Sequence, residues 1–479
     1  MAVSNTGLAQ FNLFSGRDAL QSNTIGIHNT GLGHEALRQN LSGSYNTALG
    51  AAVLLSNREG KNNTGIGYRS LYRNNSGSEN VAVGVNCLNS NSSGNYNVAM
   101  GNFTLGFNRT GMNNTAAGYH ALMSNTTASA NTAFGAYALQ SNTIGENNVA
   151  LGYYALYNNE IGSSNVALGT NTLGNNSSGN YNVASGHHSM MRNTSGSFNI
   201  AIGGQSLHQN VTGSKNIALG YFAMYKNISG IQNTCTGANS LESNLSGDFN
   251  VANGSRALKD NKTGNENTAI GYEALSRNTA GNKNTALGFA AYERGFAYGN
   301  STAIGANTHI TASNQIRFGD DKITSIGGKV SWSKLSDKRY KYAIKEDIPG
   351  LDFINKLRAV SYYVDHKKWR QSLGLSACAD SSKNLIRETG FLAQDVAASA
   401  KAMGYEFSGI DYPSSEEDNF ALRYAEFTVP LVKAVQELSA ENKALKTKIE
   451  RLENRAQQLE ALQKEVAMIQ QLLNQQAQK

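Results

Sequence analysis

Residues 44–60 read SYNTALGAAVLLSNREG and residues 61–77 read KNNTGIGYRSLYRNNSG. Aligned, the two share Asn at position 3, Thr at 4, Gly at 7, Leu at 11, Asn at 14 and Gly at 17. The same frame extends in both directions. Counting from Gln10, sixteen consecutive blocks of 17 run to Gly281. Position 3 is Asn in all sixteen (Asn12 to Asn267), position 7 is Gly (Gly16 to Gly271) and position 14 is Asn (Asn23 to Asn278). Position 11 is Leu except at Met190 and Met224, and position 17 is Gly except at Ala128. An imperfect seventeenth block starts at Asn282. One such block cannot bury its own apolar stripe, so a fixed period of this size implies stacked coils.

Each position carries a physical demand. Position 4 is mostly Thr, Val or Ile, position 6 is mostly large and apolar, and position 5 between them is mostly Ala. Period-two alternation marks a strand. The expectation is that positions 4 and 6 face inward and the small residue at 5 points toward a close neighbour, such as another subunit. A second short strand is expected at positions 9–12, with the leucine at position 11 inward. Gly at 7 and 17 marks corners that need positive φ or close approach. Asn at 3 and 14 suits left-handed and turn geometry, and stacked amides can form ladders. The fold class expected is mostly β: a β-solenoid or β-roll of 17-residue coils, about 4.8 Å apart. Tyr at position 8 (Tyr68, Tyr119, Tyr153, Tyr221, Tyr272) reads as packing between coils ahead of glycan contact.

Composition changes near residue 320. Residues 1–320 hold 17 Lys+Arg and 13 Asp+Glu, whereas residues 321–479 hold 24 and 21. Pro349, Pro413 and Pro430 all lie in the second part. Proline is excluded from coils that need every N–H in a ladder. No run of 18 apolar residues exists, so no membrane insertion is expected. The start lacks a basic region followed by an apolar one, so synthesis in the cytoplasm without a signal peptide is expected. Cys87, Cys235 and Cys378 are few and far apart, and read as buried or incidental thiols. The eight histidines show no metal-ligand spacing. No metal and no cofactor is expected. A net charge of +7 is spread thinly over the chain, so nucleic acid is not an expected partner.

The recurrent Asn-Thr-Ala-Ile/Leu-Gly strand resembles the head repeats of trimeric adhesins and repeats of tail-fibre proteins. The resemblance implies trimeric assembly. A membrane-anchor barrel like that of the trimeric autotransporter adhesins is not expected.

Four motifs follow in the second part: Ser336-Asp337-Lys338-Arg339-Tyr340-Lys341, Gly350-Leu351 with Ile354 and Leu357, Gly390-Phe391-Leu392-Ala393-Gln394-Asp395, and a helical tail from Pro430. In this order they resemble the intramolecular chaperone domain of endosialidases and of other phage tail spikes and fibres. That domain trimerises, templates folding of a β-rich fibre and cuts itself off before the motif serine. Carried over, the resemblance implies cleavage of the Leu335–Ser336 bond, with Ser336 as nucleophile and Lys341 as its base. The chemistry is coherent: a serine hydroxyl needs a base, and lysine serves when burial or a like charge lowers its pKa. Lys338 and Arg339 are candidates to supply that field. Asp337, Arg339 and Gln394 are possible supporting residues. A serine and a lysine five apart are commonplace alone, and the other motifs give the pair its weight.

In the tail, Leu438, Asn442, Leu445, Ile449, Leu452, Ala456 and Leu459 alternate spacings of four and three, which is a coiled-coil seam. A second step of three to Leu462 is a stammer, after which Val466, Ile469 and Leu473 resume the pattern. The expected domains are a repeat shaft at 1–299, a closing β segment at 300–335, the chaperone domain at 336–429 and a coiled-coil helix at 430–479. The heptads alone leave the number of strands open; with the three copies that the resemblances imply, the expectation is a homotrimeric tail fibre of a phage virion or an extracellular contractile injection system. Its expected partners are a host cell-surface receptor, glycan or protein, and a baseplate or other tail protein. The alternatives are a glycan-degrading tail spike and a bacterial surface adhesin. The first lacks an insertion large enough for a site and a clear pair of carboxylates.

Overall fold

The computed structural model describes residues 11–292, 297–329, 332–372, 387–413 and 418–477. It divides into two units, residues 1–323 and 324–479. Cys378 lies outside the described residues.

The first unit is a β-solenoid. Its strands β1 (Leu13–Ser15) to β19 (Ile316–Phe318) form one parallel 19-stranded ladder, three residues per strand. Register follows the sequence period: Val98 pairs with Thr115, and Thr115 with Thr132. Only the last step is shorter, with Thr302 of β18 (Thr302–Ile304) opposite Ile316. The rest of the backbone is also tied between coils. Amides reach alternately up and down, as when Glu35 N–H donates to the Arg17 carbonyl and Leu37 N–H to that of Val53. A proline in a coil would delete such a bond.

The inward face of the strand is the reverse of the expectation. The position-5 alanines, among them Ala48, Ala99, Ala150 and Ala201, are fully buried. Positions 4 and 6 face outward: Leu151 is 52% exposed and Ile202 47%. The cause is cross-section. Leu at position 11 fills the coil from the other side and leaves room only for a small side chain, Ala in most coils and Cys at Cys235. A Cβ built on Gly31, at position 5, would meet the Leu20 side chain at 3.6 Å.

Positions 9–12 are turns, not a second strand. Positions 9 and 11 are left-handed, for example Glu35 (φ 58°) and Leu37 (φ 53°). Leucine disfavours that region by roughly 1–2 kcal/mol, and burial of its side chain contributes about 1.5–3 kcal/mol in return.

The asparagines at positions 3 and 14 adopt no left-handed geometry. Position 2 does so instead, as at His28 and Tyr45. These asparagines are buried and form the expected ladders. Asn29 and Asn40, positions 3 and 14 of one coil, both donate to the Gly43 carbonyl at 2.9 Å and so close that coil. Their remaining bonds join coils: Asn46 Nδ2 donates to Asn29 Oδ1 at 3.1 Å, and Asn57 Nδ2 to Asn40 Oδ1 at 2.8 Å. Both amide hydrogens of Asn46 and Asn57 therefore have acceptors, which offsets the cost of burying so polar a core. Gly at position 17 follows from the ladder: a Cβ on Gly60 would lie 2.4 Å from Asn57 Oδ1. Gly at position 7 is required by conformation, as at Gly33 (φ 137°).

Cys235 takes a position-5 alanine site and Cys87 the small position-10 site. Both are buried, and burial pushes each thiol up to about 12.

The second unit is a small α/β domain that continues into a long helix. Phe353 of α1 (Leu351–Ile354), Val396 and Ala400 of α3 (Ala393–Ala402), Phe407, Ile410 and Phe427 form its core. Two short antiparallel pairs accompany it: β20 (Val360–Tyr362) with β21 (Glu388–Gly390), and β22 (Ile410–Asp411) with β23 (Ala421–Leu422). Helix α2 covers His366–Ser372. Helix α4 spans Thr428–Gln476, with Pro430 in its first turn, where no N–H is missed. Past Ala434 no described residue of α4 is buried. The expected seam is exposed from Leu438 to Leu473, so the helix is not packed along a globular surface.

Candidate active site

The first chaperone motif folds into one 3-10 turn, Lys338–Tyr340. Asp337 caps it by accepting the Arg339 N–H at 2.9 Å, and also holds the Arg339 guanidinium at 2.6 and 2.9 Å. That double grip keeps the Asp337 carboxyl below its usual range. The Lys341 N–H bonds back to the Lys338 carbonyl at 3.1 Å. The turn thereby brings residue 341 back beside residue 336, and Lys341 Nζ lies 2.7 Å from Ser336 Oγ. The two residues expected to act together are in hydrogen-bond contact.

The supporting residues fall differently. Arg339 is not a free like charge beside Lys341, because Asp337 neutralises it. Asp337 and Arg339 instead shape the turn. Lys341 and Ser336 are both exposed in the single chain, and Leu335 is 80% exposed. The burial expected to activate the lysine is thus not supplied by this chain alone. Gln394 is exposed on α3 and makes no hydrogen bond to the Ser336 loop among the described residues. Its motif neighbours build the domain. Asp395 pairs with Arg358 at 2.6 Å, and Phe391 packs on the aromatic core. Gly390 sits where a Cβ would meet the Tyr424 hydroxyl at 2.3 Å. Gly350 packs as closely on α4, with the Leu351 N–H donating to Glu437 at 2.8 Å.

One contact was invisible in the sequence. Lys334, two residues before Ser336, donates to Glu426 at 2.6 Å across 92 positions. The Lys334 ammonium holds the Glu426 carboxyl below its usual range. This pair ties the segment leading into the Leu335–Ser336 bond to the 3-10 turn Tyr424–Phe427.

Elsewhere Asp18, His34 and Glu35 come close enough to suggest a cation site. They are at least partly exposed, and the two acids already pair with Arg17 and Arg38.

The chain is thus a β-solenoid followed by a small α/β domain and a long helix whose apolar seam is exposed from Leu438. Residues 336–405 match the family model described as chaperone of endosialidase, a family of self-cleaving chaperone domains. The match starts at Ser336 itself. Solenoid and match together fit a tail fibre with a C-terminal chaperone domain. No curated protein matches the chain.

Proposed function

We propose that the chain is a homotrimeric tail fibre whose C-terminal domain drives trimerisation and folding, then releases itself by cutting Leu335–Ser336. The fibre is the receptor-binding part. The observation that carries the cleavage reading is the 2.7 Å contact between Ser336 and Lys341 at the first residue of the matched segment.

In the observed contact Lys341 donates. After losing its proton, the amine accepts the Ser336 hydroxyl proton along the same line. Ser336 Oγ attacks the Leu335 carbonyl carbon, and the peptide nitrogen takes the proton back from Lys341 and leaves. An ester joins Leu335 to Ser336 Oγ. Water hydrolyses it to a Leu335 carboxylate and a free Ser336 hydroxyl, with Ser336 now the amino terminus. Removing the lysine proton calls for burial, and partner subunits are what would cover an exposed Lys341. Cleavage is then coupled to assembly.

Two exposed apolar surfaces support self-association, and the number three is what the resemblance implies. One is the exposed seam of α4. The other is the outward strand face, where Met100, Phe134, Leu151, Leu168, Ile202 and Ile270 recur at the same position of their coils, each over a third exposed, with Ala117, Ser185, Thr236 and Asn253 interrupting the row. Recurring exposed apolar side chains on one face suit contact with another copy. Light scattering on the purified Ser336→Ala chain is expected to give the mass of three full-length copies, and a monomer would contradict the reading.

A further inference from the structure

Positions 13 and 15 flank the buried asparagine at position 14 of each coil and form two columns along the solenoid. They lie on a different stretch of the coil from the strand face. In coils 4 to 7 these columns alternate in size: Arg73, then Ser90 and Ser92, then Phe107 and Arg109, then Ser124 and Thr126. Backbone spacing is fixed by the ladder, so small residues between large ones leave a notch. The structure has a recess of about 700 Å³ here, lined by these seven residues.

The lining is chemically uneven. Neither Arg73 nor Arg109 has an acidic partner among the described residues, and no carboxylate lines the recess. Phe107 exposes 49% of its surface. Ser92 and Thr126 donate their hydroxyl protons to the carbonyls of Arg109 and Thr143, at 2.8 and 3.0 Å. Their oxygens remain able to accept. Ser90 and Ser124 have no side-chain partner among the described residues.

From this notch we infer a binding site for an acidic oligosaccharide. Guanidinium groups suit a sugar carboxylate or sulfate, which they bind through paired N–H donors. The Phe107 ring offers an apolar face for one side of a pyranose, and the serines serve its hydroxyls. Two arginines are too few for the continuous basic track that a nucleic-acid backbone needs. The lining is also too polar for an apolar peptide anchor. The inference deepens the receptor-binding reading and rests on it.

The test is titration of the full chain, carrying Ser336→Ala, with three probes: an oligouronate, a sulfated disaccharide and neutral lactose. The acidic probes separate carboxylate from sulfate as the recognised group. Arg73→Ser and Arg109→Thr restore residues common in their own columns, so folding is spared, and circular dichroism checks this. Expected is preference for one acidic probe over lactose, weakened about tenfold by either change, the scale of one lost charge-assisted contact, and retained by Arg109→Lys. Equal binding of all three probes, no binding, or variants that bind like the parent would overturn the notch. Binding to host cells is measured in parallel. A fibre that binds cells but no acidic probe refutes the notch alone. One that binds the probe but no cells refutes the receptor role alone.

Discussion

At the scale of single residues, the solenoid depends on side chains that close hydrogen bonds inside a thin core. Asn148 donates to the Gly162 carbonyl at 2.9 Å, and its Oδ1 accepts the Asn165 N–H at 3.0 Å. Replacing it by Ala strands buried groups on both sides, and a loss of about 1–3 kcal/mol is expected in urea unfolding. Leu139→Ala in the same region should cost about 2–5 kcal/mol, because the ladder prevents neighbouring coils from closing on the cavity. Glu426→Gln should slow self-cleavage about two- to fivefold, the reach of a partly exposed ion pair. A Lys334→Glu, Glu426→Lys double variant should restore the rate, which gel densitometry over time can check. The pH sign follows from the carboxyl. Its pKa is lowered in the fold, so the clasp is complete above the ordinary glutamate value and is lost as pH falls through the lowered one. Cleavage near neutral pH should therefore depend on Glu426, and below that value the variant and the parent should converge.

At the scale of elements, the period, the glycine corners and the asparagine ladders were legible because each coil repeats the same demand. The direction of the strand was not. Period-two alternation reports two faces without saying which is inside, and here the larger residues are outside. What decided it was the space left by Leu at position 11, a distance between coils that no single block displays. Ser336 and Lys341 were legible as a motif, and their contact follows from the Asp337 cap and the turn it sets. The Lys334–Glu426 pair was not legible, since its partners lie far apart in sequence. Helix α4 leaves its apolar seam bare from Leu438 to Leu473. Leu445→Asp with Leu452→Asp puts like charges into the seam, and the proposed trimer should then be lost on a sizing column. A trimer that survives would shift the burden of assembly to the strand face.

At the scale of the whole molecule, the compositional border near residue 320 marks a difference in physical task. The proline-poor repeat makes every coil nearly alike, so in-register stacking has many close competitors. A charged, proline-bearing domain with its own aromatic core and helical seam can gather three chains before the coils stack. On the proposed reading, its removal afterwards would leave the fibre without the template that set its register, and the assembled fibre would be kinetically hard to unfold. Exposure of Ser336 and Lys341 in the single chain fits a cut that waits for assembly.

Intact mass spectrometry of the purified protein tests this most directly, with Ser336→Ala and Lys341→Ala beside the wild type. The account predicts two wild-type fragments, one ending at Leu335 and one beginning at Ser336, and full-length chains for both variants. A wild type that folds, assembles and stays whole would contradict it, as would cleavage that persists in either variant.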